Sequence, residues 1–330
     1  MMLEPGQMFG AYRVAMLLGK GGMGEVYLVE EPKTGRKLAV KILDAEKAGR
    51  DEGFVERFER EAELSIQAKH HNIVEVYDAG IDPETHLCYI TMEYMAGGSL
   101  KDLIASDGLI SLPGVVTIAT DIARALAFVE SKSMVHRDVK PDNILFSADG
   151  TAKLSDLGIT RFMGETATDV SLTGSGGVVG TPAYMAPEQM LDSSAVDSRA
   201  DIYSLGVVLF EMITGKRPNE GQNAMNSLAK ALNGQIFPDV RTLRPETPPF
   251  LARLVTAMTI PNPEMRPDSA GKVLELLTGL KRTGVKAAMM GEETDNLPWY
   301  RDRGFLYAAT AMAIAVEVLV VTLINVFRGW

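Results

Sequence analysis

The sequence predicts an α+β chain in which a mainly β segment comes first, a longer mainly helical segment follows, and one apolar helix closes it. Three observations carry this. Residues 12–95 hold short β-rich runs broken by glycines and turn residues, with one stretch of helical periodicity among them. Beyond residue 111, apolar residues recur at helical spacing in several segments. Residues 305–327 are almost uninterruptedly apolar. With 330 residues, 46% of them apolar, the chain can bury a substantial core.

Taken in order, YRVAMLLG from Tyr12, EVYLVEE from Glu25 and KLAVKIL from Lys37 are three strand-like runs. Glycines part the first two and a turn at Pro32–Gly35 parts the next, which predicts an antiparallel meander. Over residues 52–68, Phe54, Phe58, Ala62 and Ile66 recur every four residues among acids and arginines, predicting an amphipathic helix. IVEVYDAG and LCYITMEY follow as two further strands around a turn at Asp82–Glu84. Helices are then expected over Leu112–Lys132, Asp201–Thr214, Ala224–Leu232 and Pro249–Thr256. No repeat of solenoid period is present.

The net charge of −10 argues against nucleic acid as a partner, because phosphate-backbone binding needs a basic stripe. Cys88 is the only cysteine, so an intramolecular disulfide and a four-cysteine zinc site are both excluded. It is expected to be a buried small apolar residue, in keeping with a reducing cytosol. Residues 1–12 lack the basic and apolar regions of a secretory signal.

The chemistry concentrates in residues 136–143, His-Arg-Asp-Val-Lys-Pro-Asp-Asn. Asp138 can hold the hydroxyl of an incoming substrate, Lys140 can meet phosphate charge, and Asn143 can ligate Mg²⁺ through its amide oxygen. Gly19, Gly21 and Gly24 form a Gly-x-Gly-x-x-Gly pattern that runs into a strand rather than a helix. This disfavours a dinucleotide fingerprint, and the Gly-Lys order of a P-loop is missing. A hairpin whose glycines admit triphosphate oxygens fits better, with a ligand-free hairpin as the competing reading. Lys41 lies within an apolar strand, where an unpaired ammonium is costly, so it needs anions. Glu61 on the amphipathic helix is the favoured protein partner, with Glu56, Glu59 and Glu63 as competitors. Asp156, in Ser155-Asp156-Leu157-Gly158, places a further carboxylate at a strand end.

These motifs, with Ala186-Pro187-Glu188, stand in the order and spacing of protein kinases over about residues 10–280. GKGGMGEVYL, HRDVKPDNIL and GTPAYMAPEQ most closely resemble bacterial Hanks-type serine/threonine kinases. The resemblance implies a bilobal fold, a small lobe of five strands and a helix over 10–95 and a large helical lobe over 96–280. It implies ATP between the lobes with Mg²⁺ or Mn²⁺. Adenine would lie between Leu18, Val26 and Ala39 above and Leu145 below, with Met92 behind it and the Glu93–Met95 backbone supplying hydrogen bonds. Lys41 and Glu61 would serve the phosphates, Asp156 and Asn143 the metal, and Asp138 the acceptor hydroxyl. Lys140 together with Thr181 matches the serine/threonine branch, so protein serines and threonines are the implied acceptors. Leu157 stands where many kinases have phenylalanine, and the metal-binding carboxylate is unaffected.

Residues 157–187 hold Thr166, Thr168, Ser171, Thr173, Ser175 and Thr181 in a glycine-rich stretch. Arg137, beside Asp138, is a natural anchor for a phosphorylated hydroxyl there, so activation by phosphorylation at Thr173 or Ser175 is expected. Asp201 is expected to bind the backbone of the 136–143 loop, and Arg266 to pair with Glu188 as a buried bridge.

Phe305–Phe327, with Thr310, Glu317, Thr322 and Asn325 as its polar residues, would be a helix of roughly 34 Å, enough for a hydrocarbon core of about 30 Å. Trp299, Tyr300 and Trp330 flank it as interfacial aromatics, and Arg301 and Arg303 agree with a cytoplasmic kinase side. This predicts a single-pass inner-membrane anchor after a linker over 281–304, with about three residues beyond it. Glu317, at the centre, is costly there unless protonated or partnered. Ala309, Ala313 and Glu317 share a helix face, which suggests a self-associating helix and a homodimer that phosphorylates in trans. A lipid-facing helix without specific pairing and a helix packed on the soluble domain are the competing readings. The rival functions are a membrane-anchored pseudokinase scaffold and a small-molecule kinase; Lys41, Asp138 and Asp156 disfavour the first, Thr181 and Ala186-Pro187-Glu188 the second.

Overall fold

The computed structural model describes residues 3–21, 24–43, 54–107, 109–157, 182–191, 196–221 and 224–283. The first lobe holds strands β1 (Met8–Phe9), β2 (Tyr12–Gly21), β3 (Gly24–Glu30), β4 (Lys37–Leu43), β5 (Val76–Ile81) and β6 (Cys88–Glu93), with helix α1 (Phe54–Gln67) between β4 and β5. They form one sheet in the order β1-β2-β3-β4-β6-β5, every pairing antiparallel. The expected meander is β2-β3-β4. The helical excursion after β4 lets β5 take the far edge, and β6 returns to sit beside β4.

Strand β4 is buried along nearly its whole length, which is why it reads as an almost continuous apolar run rather than an alternating one. One face, with Ala39 and Leu43, joins Phe58 of α1 together with Ile90 and Met92. The other, with Leu38, Val40 and Ile42, packs with Val14, Tyr27 and Val29 and is joined by Leu3 and Phe9 of the N-terminal segment. Cys88 is buried, as expected for a small apolar side chain.

The second lobe is built on α3 (Leu112–Ser131) and α5 (Arg199–Thr214), with the shorter helices α2 (Leu100–Asp107), α4 (Pro187–Leu191), α6 (Ala224–Leu232), α7 (Pro249–Met258) and α8 (Ala270–Thr283) around them. Helix α3 is long and apolar enough to cross a membrane, but most of it is buried inside this lobe as a core helix. Its start is fixed by Ser111, whose Oγ accepts the Gly114 N–H, and by a proline in the first turn. On α5 a Cβ at Gly206 would stand 2.8 Å from Met258 Cβ and from Thr259 Cγ2, so glycine is what lets α5 and α7 approach. Glu130 near the end of α3 accepts from Ala270 N (3.0 Å), capping the start of α8, and from Ser198 Oγ (2.7 Å), which ties the residue before α5 to the same carboxylate. Helix α8 runs to Thr283, so residues 281–283, expected at the start of the linker, are helical. The apolar segment at 305–327, with Glu317, and the remaining linker lie outside the described residues.

A small hairpin, β7 (Ile144–Phe146) and β8 (Ala152–Leu154), joins the lobes. Leu154 N donates to Asn72 O and Leu154 O accepts from Val74 N, both at 2.9 Å. Asn72 Nδ2 adds a bond to Ala152 O at 3.0 Å. The small-lobe segment 72–74 is thereby stitched to a strand that leads directly into Asp156.

Candidate active site

The loop 136–143 leaves α3 and enters β7, and its backbone is held by a buried carboxylate from α5. Asp201 accepts from the N–H of His136 and of Arg137, each at 2.7 Å. Burial pushes the Asp201 carboxyl up; the two N–H bonds and the charge of its neighbours oppose this without cancelling it. Arg137 has φ 68°, a left-handed conformation that costs a non-glycine residue about 1 kcal/mol or more, and the Asp201 bond fixes it there. His136 Nδ1 accepts from Asp138 N at 3.2 Å. Its proton is therefore on Nε2, which donates to Ser155 O at 2.8 Å and ties the loop to the residue before Asp156.

Within the loop the polar groups converge on Asp138. Its Oδ2 lies 2.7 Å from Lys140 Nζ and 2.8 Å from Asn143 Nδ2, and Asn143 Nδ2 also donates to Asp138 O at 2.8 Å. This leaves Asp138 Oδ1 and the Asn143 amide oxygen as the remaining acceptors of the pair. Asn143 O in turn accepts from Ser155 N (2.9 Å) and Ser155 Oγ (3.1 Å). Asp156 follows with φ 61°, a second non-glycine residue in the left-handed region.

Lys41 Nζ lies 2.8 Å from Asp156 Oδ1, with the side chains 7% and 19% exposed, so the ammonium in the apolar strand has its anion. Burial pushes the Asp156 carboxyl up, but the charge and hydrogen bond of Lys41 outweigh it and hold it below the usual carboxylate range. Helix α1 carries Glu61, whose side chain lies outside the described residues. The Asp156 carboxylate and Asn143 amide oxygen are both hard oxygen donors, and the Ser155 bonds to Asn143 O hold the two stretches of backbone together. Two such donors suit a Mg²⁺ or Mn²⁺ ion that completes its shell with phosphate and water oxygens.

Beside these groups Val26, Ala39, Met92, Met95 and Leu145 gather in one apolar cluster, bringing together five residues expected around a base. Leu18 does not join it and is 41% exposed. The β2–β3 register shifts between Leu17 and Gly19, and this irregularity takes Leu18 off the alternating face. Glu93 N donates to Glu75 O at 2.8 Å, and its carboxylate is held by Lys153 Nζ at 2.8 Å to each oxygen, a bridge from β6 to β8 that sequence spacing does not announce. In the glycine hairpin Gly19 and Gly21 face open space, whereas a Cβ at Gly24 would meet Ile42 O at 2.0 Å, with φ +138° besides. Gly24→Ala is therefore expected to push β3 off β4 at the hairpin and weaken nucleotide binding at least tenfold in an equilibrium titration. Gly19→Ala should fall well short of that.

Thr173, Ser175 and Thr181 lie outside the described residues. Just beyond them, Arg266 grips Glu188 with two bonds of 2.6 and 2.8 Å, the buried bridge expected there. Gln189 accepts from Ala186 N and donates to Arg137 O, both at 3.1 Å, anchoring α4 on the loop. Tyr184 Oη donates to Glu211 at 2.5 Å; burial pushes both of these groups up.

A model of the protein kinase domain matches residues 12–276. The chain belongs to the protein kinase family. Among bacterial members it is 34% identical to serine/threonine-protein kinase PknB of Mycolicibacterium smegmatis, across 97% of this chain and 54% of that one. It is 35% identical to serine/threonine-protein kinase PrkC of Bacillus subtilis, across 79% of this chain and 39% of the relative. The chain thus spans about half or less of the length of these relatives. The crystal structure of the Mycobacterium tuberculosis PknI kinase domain superposes with a TM-score of 0.66 at 26% identity, over 85% of this chain and all of that domain. The two-lobed kinase fold is therefore established by sequence and by shape.

Proposed function

We propose that this kinase-family chain is a serine/threonine protein kinase, transferring the γ-phosphoryl of ATP, with Mg²⁺ or Mn²⁺, to protein hydroxyls. One observation carries the reading: the Lys41–Asp156 pair and the Asp138–Lys140–Asn143 cluster, from three separate stretches of chain, are held next to one another by Ser155, which precedes Asp156 and bonds Asn143 O. Asp138, with one oxygen held by Lys140 and Asn143, presents the other to the acceptor hydroxyl and takes its proton. Lys140 remains close enough to balance charge at the transferring phosphoryl, and Lys41 turns its ammonium to the other phosphates. Asp156 and Asn143 would hold a divalent ion, which would supply neutralisation of phosphate charge. The pocket of Val26, Ala39, Met92 and Leu145 takes the base, and the Glu93–Met95 backbone orients it. Rate then comes from positioning and electrostatics rather than covalent chemistry.

Phosphorylation of Thr173 or Ser175, with Arg137 as the anchor, is the proposed control, checked by mass spectrometry across residues 166–175 of the active protein. The apolar stretch 305–327 supports a single-pass membrane anchor with the kinase lobes cytoplasmic, and its Ala309–Ala313–Glu317 face supports self-association. The deciding experiment incubates the full chain with labelled ATP, Mg²⁺ and a protein acceptor, beside Asp138→Asn. Loss of labelling by about 10² to 10⁴-fold in the variant is expected for a general base. Equal labelling by both proteins would sink the enzymatic reading in favour of a scaffold.

A further inference from the structure

The glycine hairpin is fastened from the side of the sheet that faces away from the base pocket. Along β3, Val26 joins the apolar cluster expected around the base, whereas Tyr27 and Val29 belong to the cluster on the other face, together with Leu3 and Phe9. Alternation along the strand places Glu25 on the same side as Tyr27. At the end of the hairpin the register sets Lys20 opposite Glu25 and Gly21 opposite Gly24. Lys20 Nζ lies 2.8 Å from Glu25 Oε1, and Tyr27 Oη donates to Glu25 Oε2. One carboxylate thus ties β2 to β3 beside the glycines.

The same hydroxyl reaches the N-terminal segment. Tyr27 Oη accepts from Leu3 N at 3.1 Å, and the two residues are 1% and 5% exposed. Leu3 belongs to a stretch that is itself held to β2: Gly6 N donates to Val14 O (2.8 Å), Val14 N donates to Gln7 O (2.9 Å), and β1 pairs with Tyr12 and Arg13. A phenylalanine at residue 27 would fill the same space with no buried hydroxyl to satisfy. The tyrosine instead completes a relay from Leu3 N through Glu25 to Lys20. Tyr27 and Glu25 lie on the face opposite Val26, so they act on a nucleotide only through the hairpin backbone.

We propose that Tyr27 is a positioning residue, whose hydroxyl anchors Glu25 and its Lys20 partner to the segment around Leu3 and so holds the glycine hairpin in place for triphosphate oxygens. The proposal rests on the kinase reading for the hairpin's ligand, and the test separates the two. In the full chain with Mg²⁺, calorimetry compares ATP with adenosine, which has no phosphates, for the parent, Tyr27→Phe, Glu25→Ala and the double variant, with melting temperature recorded for each. Loss of one hydrogen bond predicts that Tyr27→Phe weakens ATP about fivefold and leaves adenosine within about twofold of the parent. Glu25→Ala should weaken ATP at least as much, and the double variant no further than Glu25→Ala, because the tyrosine acts through the carboxylate. A merely structural role would loosen the sheet that also carries Val26 and Ala39, and would weaken both ligands alike. Parent-like ATP affinity in Tyr27→Phe, equal losses for ATP and adenosine, or a further fivefold loss in the double variant would each overturn the proposal. A parent that binds ATP yet labels no protein refutes the kinase reading and leaves the Tyr27 result standing, whereas a parent that binds no ATP overturns both.

Discussion

Lys41→Met is expected to lower the phosphoryl-transfer rate by about 10² to 10³-fold, the usual consequence of removing one preorganised charge from a buried site. The same variant should weaken an acid-range stability effect. In the parent, the Asp156 carboxyl is held below its ordinary value because Lys41 outweighs burial. A group whose folded-state pKa is depressed contributes stability that is fully present above the unfolded pKa and is lost as pH falls through the folded one. Without the ammonium the strongest opposition to burial is lost and the folded pKa rises, so the stability that the ionised carboxylate contributes above the carboxylate range shrinks. Thermal melts of parent and variant between about pH 3 and pH 7 should therefore converge toward the acid end. Parallel melting curves across that range would mean that Lys41 does not set the ionisation of Asp156.

The largest stability loss is expected at Arg266→Ala. The guanidinium is fully enclosed, with 0% of the side chain exposed against 23% for Glu188. It donates to both Glu188 oxygens and to the carbonyls of Ile260, Pro261 and Arg199, and it lies 4.8 Å from the Tyr203 ring centroid. Truncation strands a carboxylate and three carbonyls at once, for which breaking one partner of a buried pair costs about 3–5 kcal/mol. Urea unfolding reads this directly, and a loss below about 1 kcal/mol would mean that water replaces the guanidinium at Glu188. Arg266→Lys should recover little, because an ammonium cannot reproduce the two parallel bonds to Glu188 while reaching the carbonyls.

Long, strongly periodic elements were legible before any coordinates. Ala224–Leu232 has the expected bounds, and the helix expected over Leu112–Lys132 ends one residue sooner. Helix α8 escaped because Gly271 and Gly279 interrupt its pattern; its Val273 and Leu277 are buried in the large-lobe core, and packing along α3 overrides the propensity. Helix α2 is only eight residues long and starts on the Ser99–Asp102 bonds rather than on a periodic apolar face. In the site, residue types and spacings revealed which groups carry chemistry, since a catalytic loop keeps them within a few positions. Pairings between distant stretches were less accessible. Lys41 and Asp156 are 115 residues apart, and nothing in either segment says that they touch. The Glu93–Lys153 bridge was invisible for a similar reason, because a lysine on a three-residue strand looks like any solvated charge.

Strand β8 is sewn to segment 72–74 of the small lobe as well as to its own hairpin partner. Leu154 is thus shared: its backbone groups bond the small lobe while its strand belongs to the large one. Asp156 follows it by only two residues, so the carboxylate that meets Lys41 is placed by both lobes at once rather than by either alone.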